Sequence, residues 1–333
     1  MKKLKVGFIS FAYRGHAAAY LHHMVNMNNV EIVGIADSNK TRVQPYIDQY
    51  LLPYYEDHHQ LLETDVEAVI IMSENVFHAE MTIDAARAGK HILCEKPLGI
   101  SVQEMKKMIA TCEENKVQLM AVLPTNYSST VVEAKKAIDR GEIGEIIAMK
   151  GNNRGSFPGG WYVDKDLAGG GAIMDHAVHI AGVMNLVTGS KVKSVYAEGG
   201  ALLYDKEIDD AGIVHLTYEN DVVAVLDPSW SRCKSYPFPV DLTLDIIGTE
   251  GVISIDCFNQ KNEWYNDQTM SGIWDYAGDD NPAILIRDFV KALLEDEQVS
   301  TTGEDGLNAA VIAIAAYESI KQRRTVHISE ISN

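Results

Sequence analysis

Apolar residues in the first 123 positions gather into short runs with little alternation: Val6-Gly7-Phe8-Ile9-Ser10, Val30 to Ala36, Glu67 to Met72, His91 to Cys94 and Val117 to Leu123. Runs of that length without a regular polar face predict strands buried on both sides of a parallel sheet. Helices are expected between them. One follows the turn at Ser10 to Gly15, one lies near Asp57 to Leu62, one opens at Ser73 to His78 and stops at Gly89, and one starts at the capping box Ser101-Val102-Gln103-Glu104. Strands and helices alternating in this way predict a doubly wound α/β sheet.

Beyond residue 123 the pattern changes. Val131, Val132, Ala134 and Ile138 fall at helical spacing and predict a helix from Tyr127 to Arg140, ended by Gly141. Ile143 to Lys150, Val192 to Leu202, Ala211 to Tyr218, Val222 to Trp230, Val240 to Gly248 and Gly251 to Cys257 then follow with the spacing of an antiparallel sheet. A last apolar helix, Gly303 to Ile320, runs into Lys321-Gln322-Arg323-Arg324, cations suited to the negative end of a helix. No repeat or low-complexity linker intervenes, so two domains are predicted, 1–123 and 124–333.

Composition narrows the function. The 333 residues are 46% hydrophobic and 23% charged, an ordinary globular mix, and no apolar run approaches the roughly 18 residues of a membrane span. A net charge of −18 argues against a nucleic-acid backbone or an anionic membrane as partner. Cys94, Cys112, Cys233 and Cys257 are too widely spaced for a zinc cluster or a disulfide framework, which fits a reducing cytoplasm. Met1-Lys2-Lys3-Leu4-Lys5 leads straight into the first strand without the features of a targeting segment.

Three places carry chemistry. The first is Ser10-Phe11-Ala12-Tyr13-Arg14-Gly15, which stands where the dinucleotide fingerprint Gly-x-Gly-x-x-Gly would stand and keeps its last glycine. Its small residues permit close approach of a pyrophosphate to the helix start, and the Ser10 hydroxyl offers it a further donor; an ordinary strand-to-helix turn is the alternative. Asp37, at the end of the next strand, lies 22 residues past Gly15, near the ~20 expected of the acid that holds the adenosine ribose. A carboxylate there accepts from ribose hydroxyls and repels a 2′-phosphate, so NAD is expected rather than NADP, although Ser38, Lys40 and Arg42 would hold a phosphate if the loop swung round.

The second is Glu95-Lys96-Pro97, which sets a Lys at the carboxyl end of a parallel strand, where open α/β sheets bind ligands. Pro97 fixes φ and permits a rigid bend that aims Lys96 into a cleft. The third is Gly169-Gly170-Gly171-Ala172-Ile173-Met174-Asp175-His176-Ala177-Val178-His179, a loop turning into a helix. Asp175 and His179 share one helix face, His176 points elsewhere, and the glycines let backbone pass close to a reacting group. A capped helix with a polar edge is the plain alternative. The same three side chains as metal ligands are disfavoured because they lack the His-x-x-x-His face, and His22-His23 and His58-His59 read as solvated faces rather than ligand pairs.

The pattern resembles the Gfo/Idh/MocA oxidoreductases. It does so along nearly the whole chain: Val6-Gly7-Phe8-Ile9, Ala36-Asp37, Asn75-x-x-His78, Ala88 to Pro97, the glycine stretch, Ile247-Gly248-Thr249-Glu250-Gly251, Glu304-Asp305-Gly306-Leu307 and Tyr317-Glu318-Ser319. It departs at Ser10 and Ala12, at Glu74 in place of the usual proline, and at Ile180-Ala181-Gly182, where an acid is often found. The resemblance implies an N-terminal Rossmann domain and a C-terminal α+β domain whose large, open, mainly antiparallel sheet forms a homodimer or homotetramer. It implies an NAD(P)-dependent dehydrogenase acting on a secondary alcohol of a sugar, inositol or similar polyol. Ser10, Phe11, Ala12, Arg14, Gly15, Asp37, Ser73, Asn75, His78, Glu95 and Lys96 are expected to meet the cofactor. Asn126, Arg154, Trp161, Tyr162, Asp175 and His179 are expected to meet the substrate, with Asp164, Trp230, Arg232 and Tyr236 as further candidates. Lys96, Asp175 and His179 are expected in one catalytic cleft, His179 as base, and no metal is expected. An NAD-using glycosidase of the same family and a non-catalytic dinucleotide sensor are the rival functions.

Overall fold

The computed structural model describes residues 3–331. Two compact units emerge, one formed by the chain up to Val122 with Asn281–Leu307, the other by Leu123–Asp280 with the chain from Asn308.

The first unit is a six-stranded parallel sheet: β1 (Leu4–Ile9), β2 (Val30–Ala36), β3 (Tyr54–Tyr55), β4 (Ala68–Ile71), β5 (His91–Cys94) and β6 (Leu119–Ala121). Between successive strands run α1 (Arg14–Val25), α2 (Lys40–Tyr50), α3 (His58–Leu62), α4 (His78–Arg87) and α5 (Val102–Glu114). The spatial order β3-β2-β1-β4-β5-β6 reverses direction between β1 and β4, the switch point where such sheets open a crevice at their carboxyl ends. Every residue of β4 is buried, as its unbroken apolar run requires. The Ser101 hydroxyl accepts from the Glu104 amide at the start of α5, the cap expected from sequence.

The second unit begins with α6 (Ser129–Asp139), β7 (Ile146–Asn152), α7 (Lys165–Ala168) and α8 (Ala172–Thr188). Strands β8 (Val192–Gly200), β9 (Ala211–Tyr218), β10 (Val223–Asp227), β11 (Thr243–Gly248) and β12 (Val252–Asp256) follow, then a separate hairpin of β13 (Lys261–Asn266) and β14 (Ser271–Tyr276). After α9 (Asn281–Glu295) and α10 (Gly303–Gln322), β15 (Val326–His327) completes a seven-stranded sheet of order β12-β11-β7-β10-β9-β8-β15, and α11 (Ile328–Ile331) ends the described chain. Only β7 with β10 is parallel, so the sheet is mainly antiparallel. Val214, Leu216, Leu226, Leu244 and Ile246 are buried on one face, against which α8 packs, while Ile213, Val223 and Val252 are exposed. Alternation of that kind marks a sheet with one face on a core.

Three differences from the sequence reading have local causes. The helix expected from Tyr127 begins at Ser129, because Pro124–Tyr127 forms a separate 3-10 turn with proline in its first positions. The hairpin and α9 are additional elements. Helix α9 belongs with the first unit, although 124–333 was expected to be one domain: its buried stripe, Leu285, Ile286, Phe289 and Val290, packs on α1 and β1. Periodicity shows that a helix has an apolar stripe but not which core receives it.

Candidate functional site

At the end of β1 the chain turns into α1 with Ser10 at φ 66°, the left-handed region that favours glycine. The fingerprint's backbone shape is thus kept with a serine in the glycine's place, at a cost of about 1 kcal/mol. The turn is fixed by Ser10 N–H donating to the Ala36 carbonyl at 2.7 Å and Phe11 N–H donating to Asp37 Oδ2 at 2.9 Å. Tyr13, at the N-cap of α1, caps no amide with its side chain, and the first turn of α1 holds no acid. A Cβ built on Gly15 would meet nothing within 4 Å. No protein neighbour therefore requires this glycine, and the helix start is shaped to receive an anion.

Beside that start lies a cavity of about 190 Å³, lined by Ser10, Asp37, Ser38, Arg42, Glu74 and Phe77, among others. It is smaller than the ~300–1,000 Å³ of whole-ligand pockets and suits one part of an extended ligand. Asp37 is buried and its carboxylate accepts from Phe11 N–H, from Asn39 N–H at 2.8 Å and from both Nε (3.0 Å) and Nη2 (2.9 Å) of Arg42. Arg42 also donates through Nη1 to Glu74 Oε1 at 2.9 Å and through Nη2 to Ser10 Oγ at 3.1 Å. Burial opposes the Arg42 charge, but the bonds to Asp37 and Glu74 outweigh it and hold the guanidinium above its ordinary pKa. Ser10 Oγ, expected as a donor to a pyrophosphate, here accepts from Arg42 and from the Ala12 amide.

Glu95 and Lys96 follow β5 directly. Both are buried, Glu95 Oε1 lies 2.6 Å from His16 Nδ1, and the Lys96 ammonium stands 5.2 Å from the centroid of the Tyr13 ring. The Lys96-Pro97 peptide is cis. His78 supports this turn from beneath: it is fully buried, with Nδ1 2.8 Å from the Pro97 carbonyl and Nε2 3.1 Å from the Ser73 carbonyl. Burial depresses its pKa, so the imidazole is neutral at pH 7. Asn75 accepts from Tyr13 OH at 3.1 Å, and Ser73 is buried, its hydroxyl donating to the Glu74 carbonyl at 3.1 Å. Of the expected cofactor residues, Ser10, Asp37, Asn75 and Lys96 thus lie at or just past the carboxyl ends of the strands, Ser10 and Asp37 joined through Arg42 and Asn75 and Lys96 through Tyr13, while Phe11, Ser73 and His78 are fully buried. His16, which sequence reasoning missed, joins them through Glu95. The arrangement fits a dinucleotide: an uncapped helix start for the pyrophosphate and an acid-lined hollow for the adenosine end.

In the second unit the glycine run serves a different purpose. Gly169 ends α7 at φ 75°. A Cβ on Gly170 would run into the Tyr317 ring, and one on Gly171 into the Asp209 carbonyl oxygen. These glycines admit protein rather than a reacting group, which corrects the sequence reading. Asp209 accepts from the amides of Gly171 (Oδ1, 2.8 Å) and Ile173 (Oδ2, 2.9 Å), and its carbonyl accepts from Ala172 N–H at 2.9 Å. Tyr317 OH accepts from Gly171 and Met174 N–H at 3.0 and 3.1 Å and donates to Asp209 Oδ1 at 2.9 Å. Burial first, then the Asp209 charge, push the Tyr317 phenol well above its ordinary pKa, so it stays protonated.

One turn on, Asp175 Oδ2 accepts from Trp230 Nε1 at 3.0 Å and lies 3.2 Å from His176 Nε2. His176 therefore meets Asp175 rather than pointing away, since Gly155 leaves room for its ring on that side. Trp230 is fully buried in a cluster with Ala172 and Ile208, edge-on to Phe157, and orients Asp175 instead of forming an exposed platform. His179 is half-buried on the same helix face as Asp175, and its carbonyl accepts from Thr125 Oγ1 at 3.4 Å. Trp161 and Tyr162 stack on each other with ring centroids 4.1 Å apart. Arg154 donates to Asp241 Oδ2 through both Nε (3.1 Å) and Nη2 (2.8 Å), and Arg232 joins the same carboxylate while lying over Tyr236. Asp164 caps α7, and Asn126 lies near Gly182, where an acid was absent from the pattern. Asp57, His58 and His59 bring ligand-type atoms within 4.8 Å of one another, but the Asp57 side chain accepts from His59 N–H and His58 Nε2 lies 3.2 Å from Asp84. No helix of the described residues is long and apolar enough to cross a membrane.

With this geometry in hand, comparison with known proteins is informative. Residues 4–122 match a family profile described as an oxidoreductase family with an NAD-binding Rossmann fold, and residues 131–254 match the GFO/IDH/MocA C-terminal domain. The chain is 28% identical over 319 residues to an uncharacterised Bacillus subtilis oxidoreductase, YrbE, with 90% of each chain covered. It is 26% identical over 297 residues to the myo-inositol 2-dehydrogenase of Thermotoga maritima, covering 83% of this chain and 84% of the relative. Among solved structures, scyllo-inositol dehydrogenase from Lactobacillus casei, with bound NAD(H) and scyllo-inositol, superposes with a TM-score of 0.86 at 20% identity, over 98% of this chain and 100% of the other.

Proposed function

The chain belongs to the GFO/IDH/MocA family of NAD-binding oxidoreductases, and from that premise we propose that it moves a hydride between NAD and a secondary alcohol of a cyclic polyol or sugar. The single observation that carries the cofactor half of the reading is the uncapped start of α1 beside the Asp37 pocket. The substrate class is supported by the relatives, among them inositol 2-dehydrogenases and a levoglucosan dehydrogenase. Bound nicotinamide would accept or return the hydride.

The protein's own groups supply the rest. In the oxidation direction the hydroxyl proton must leave as hydride departs, and we assign His179 as the base that takes it. Lys96, held at the end of β5 by the turn that His78 supports, would orient the hydroxyl and stabilise the developing alkoxide. Asp175, fixed by Trp230 and His176, would hold a second hydroxyl. Arg154, Trp161, Tyr162 and Asn126 would contact the substrate further out. Phe11, Ala12, Arg14 and Gly15 would border the pyrophosphate. We further propose a homodimer or homotetramer built on the outer face of the seven-stranded sheet, where cross-strand neighbours Val252, Ile247, Ala148 and Val223 form an apolar row. A reducing cytoplasm is supported by four unpaired cysteines.

The test is a panel of inositols and sugars with NAD, followed by NADH absorbance. Turnover of at least one polyol is expected. Release of sugar from an aryl glycoside without net NADH would make the protein a glycosidase instead, and NADH binding with no turnover of any substrate would make it a sensor.

A further inference from the structure

The hollow beside α1 contains more acid than a ribose needs. Asp37 alone provides acceptors for ribose hydroxyls, yet Glu56, Asp57 and Glu74 line the cavity as well, and of these three Glu74 is the one bonded to Arg42. Its partner is Arg42, the one permanent cation among the residues lining this cavity. A 2′-phosphate would need that guanidinium, as a planar fork of donors for its oxygens.

The five N–H groups of Arg42 can be followed one by one. Nε donates to Asp37 Oδ2, the two hydrogens of Nη2 go to Asp37 Oδ1 and Ser10 Oγ, and one hydrogen of Nη1 goes to Glu74 Oε1. One N–H is left, next to a carboxylate. Without Glu74 the whole Nη1 edge would face the pocket while Asp37 kept its own bonds, so Asp37 by itself does not close Arg42 to a phosphate. Glu74 does so twice, by occupying that edge and by adding a negative charge at the place a phosphate would take.

We propose that Glu74 is a second specificity-determining residue of the dinucleotide pocket, tethering Arg42 between two carboxylates so that a 2′-hydroxyl is accepted and a 2′-phosphate refused. The inference rests on the dinucleotide reading above. It adds that the preference for NAD is held jointly, by Asp37 just after β2 and by Glu74 from the loop after β4.

Direct binding tests it without turnover. NADH and NADPH are titrated by fluorescence against the parent protein, Glu74→Ala, and the double variant Glu74→Ala with Arg42→Ala. The parent should bind NADH well and NADPH poorly. Glu74→Ala, which removes both the charge and the acceptor on Nη1, should keep NADH affinity within about twofold and gain about tenfold for NADPH, the value of one freed charge-assisted contact. The gain should vanish in the double variant. An NADPH affinity unchanged in Glu74→Ala, with NADH binding intact, overturns the proposal alone; a gain that survives loss of Arg42 overturns it as well. A parent that binds neither nucleotide overturns the dinucleotide reading and this inference with it.

Discussion

Two turns rich in small residues lead into helices in this molecule, and their first amides meet different fates. At the start of α1 no side chain caps the helix, Gly15 has open space where a Cβ would stand, and Asp37 lines a hollow beside it. At the start of α8 the amides of Gly171, Ala172, Ile173 and Met174 are all taken by Asp209 and Tyr317, and the glycines are packed against those same groups. The first start is left for a ligand. The second is closed by protein, and its rigidity serves Asp175 one turn later and His179 two turns later. A glycine before a helix therefore does not by itself indicate a ligand; what matters is which atoms fill the space the missing side chain leaves.

The largest expected effects fall on the rate. Lys96→Met should lower kcat by about 10²–10⁴-fold with NADH affinity and melting temperature nearly kept, because a positioned acid–base group acts on the transition state. His179→Asn should do the same and also remove the rising limb of the pH–rate profile for alcohol oxidation, since Asn cannot titrate. A folded His179→Asn protein with the same limb would place the base elsewhere.

Next come losses of stability at the closed start. Gly171→Ala should cost about 3 kcal/mol in urea denaturation, because its Cβ meets the Asp209 backbone rather than a movable side chain. Tyr317→Phe should cost less, about 1–3 kcal/mol, by stripping an acceptor from two amides and a donor from Asp209. In both variants NADH affinity, measured on the folded fraction, should stay within twofold of the parent. A loss of NADH binding as large as the loss of stability would erase the contrast between the two helix starts.

A smaller effect depends on pH. His78 has a folded pKa below its unfolded value of about 6.5, so it costs nothing above pH 6.5. As pH falls below 6.5 the unfolded chain takes up a proton that the folded one refuses, and stability declines by at most about 1.4 kcal/mol per pH unit until the folded pKa is reached. Denaturation of the parent and His78→Asn at pH 7 and pH 5 should show a steeper acid loss in the parent. Equal slopes would mean that the buried imidazole does not titrate as described.

Much of this was legible in the sequence, for physical reasons that also mark where legibility ends. Parallel strands such as β4 read clearly because burial on both faces forces an unbroken apolar run. The Asp37 position was legible because the distance from Gly15 is set by one strand–helix–strand unit. The function of Gly170 and Gly171 was not, because the groups that fill their space, Asp209 and Tyr317, come from other elements 38 and 146 residues away from Gly171. Spacing along one helix likewise set His176 apart from Asp175, whereas the packing against Gly155 brings the ring to the carboxylate. Glu74 was visible only as a departure from an expected proline; its pairing with Arg42 spans 32 residues and belongs to the folded sheet.

The most direct measurement is NADH titration and thermal melting of Gly15→Ala beside the parent. Alanine at this helical position meets no protein atom and has the better helix propensity, so stability should be kept or rise by up to about 1 kcal/mol. NADH affinity should nevertheless fall about tenfold or more, because the added methyl enters the space reserved for the pyrophosphate. A Gly15→Ala protein that binds NADH as tightly as the parent would contradict the account, since the open helix start would then have no ligand to receive.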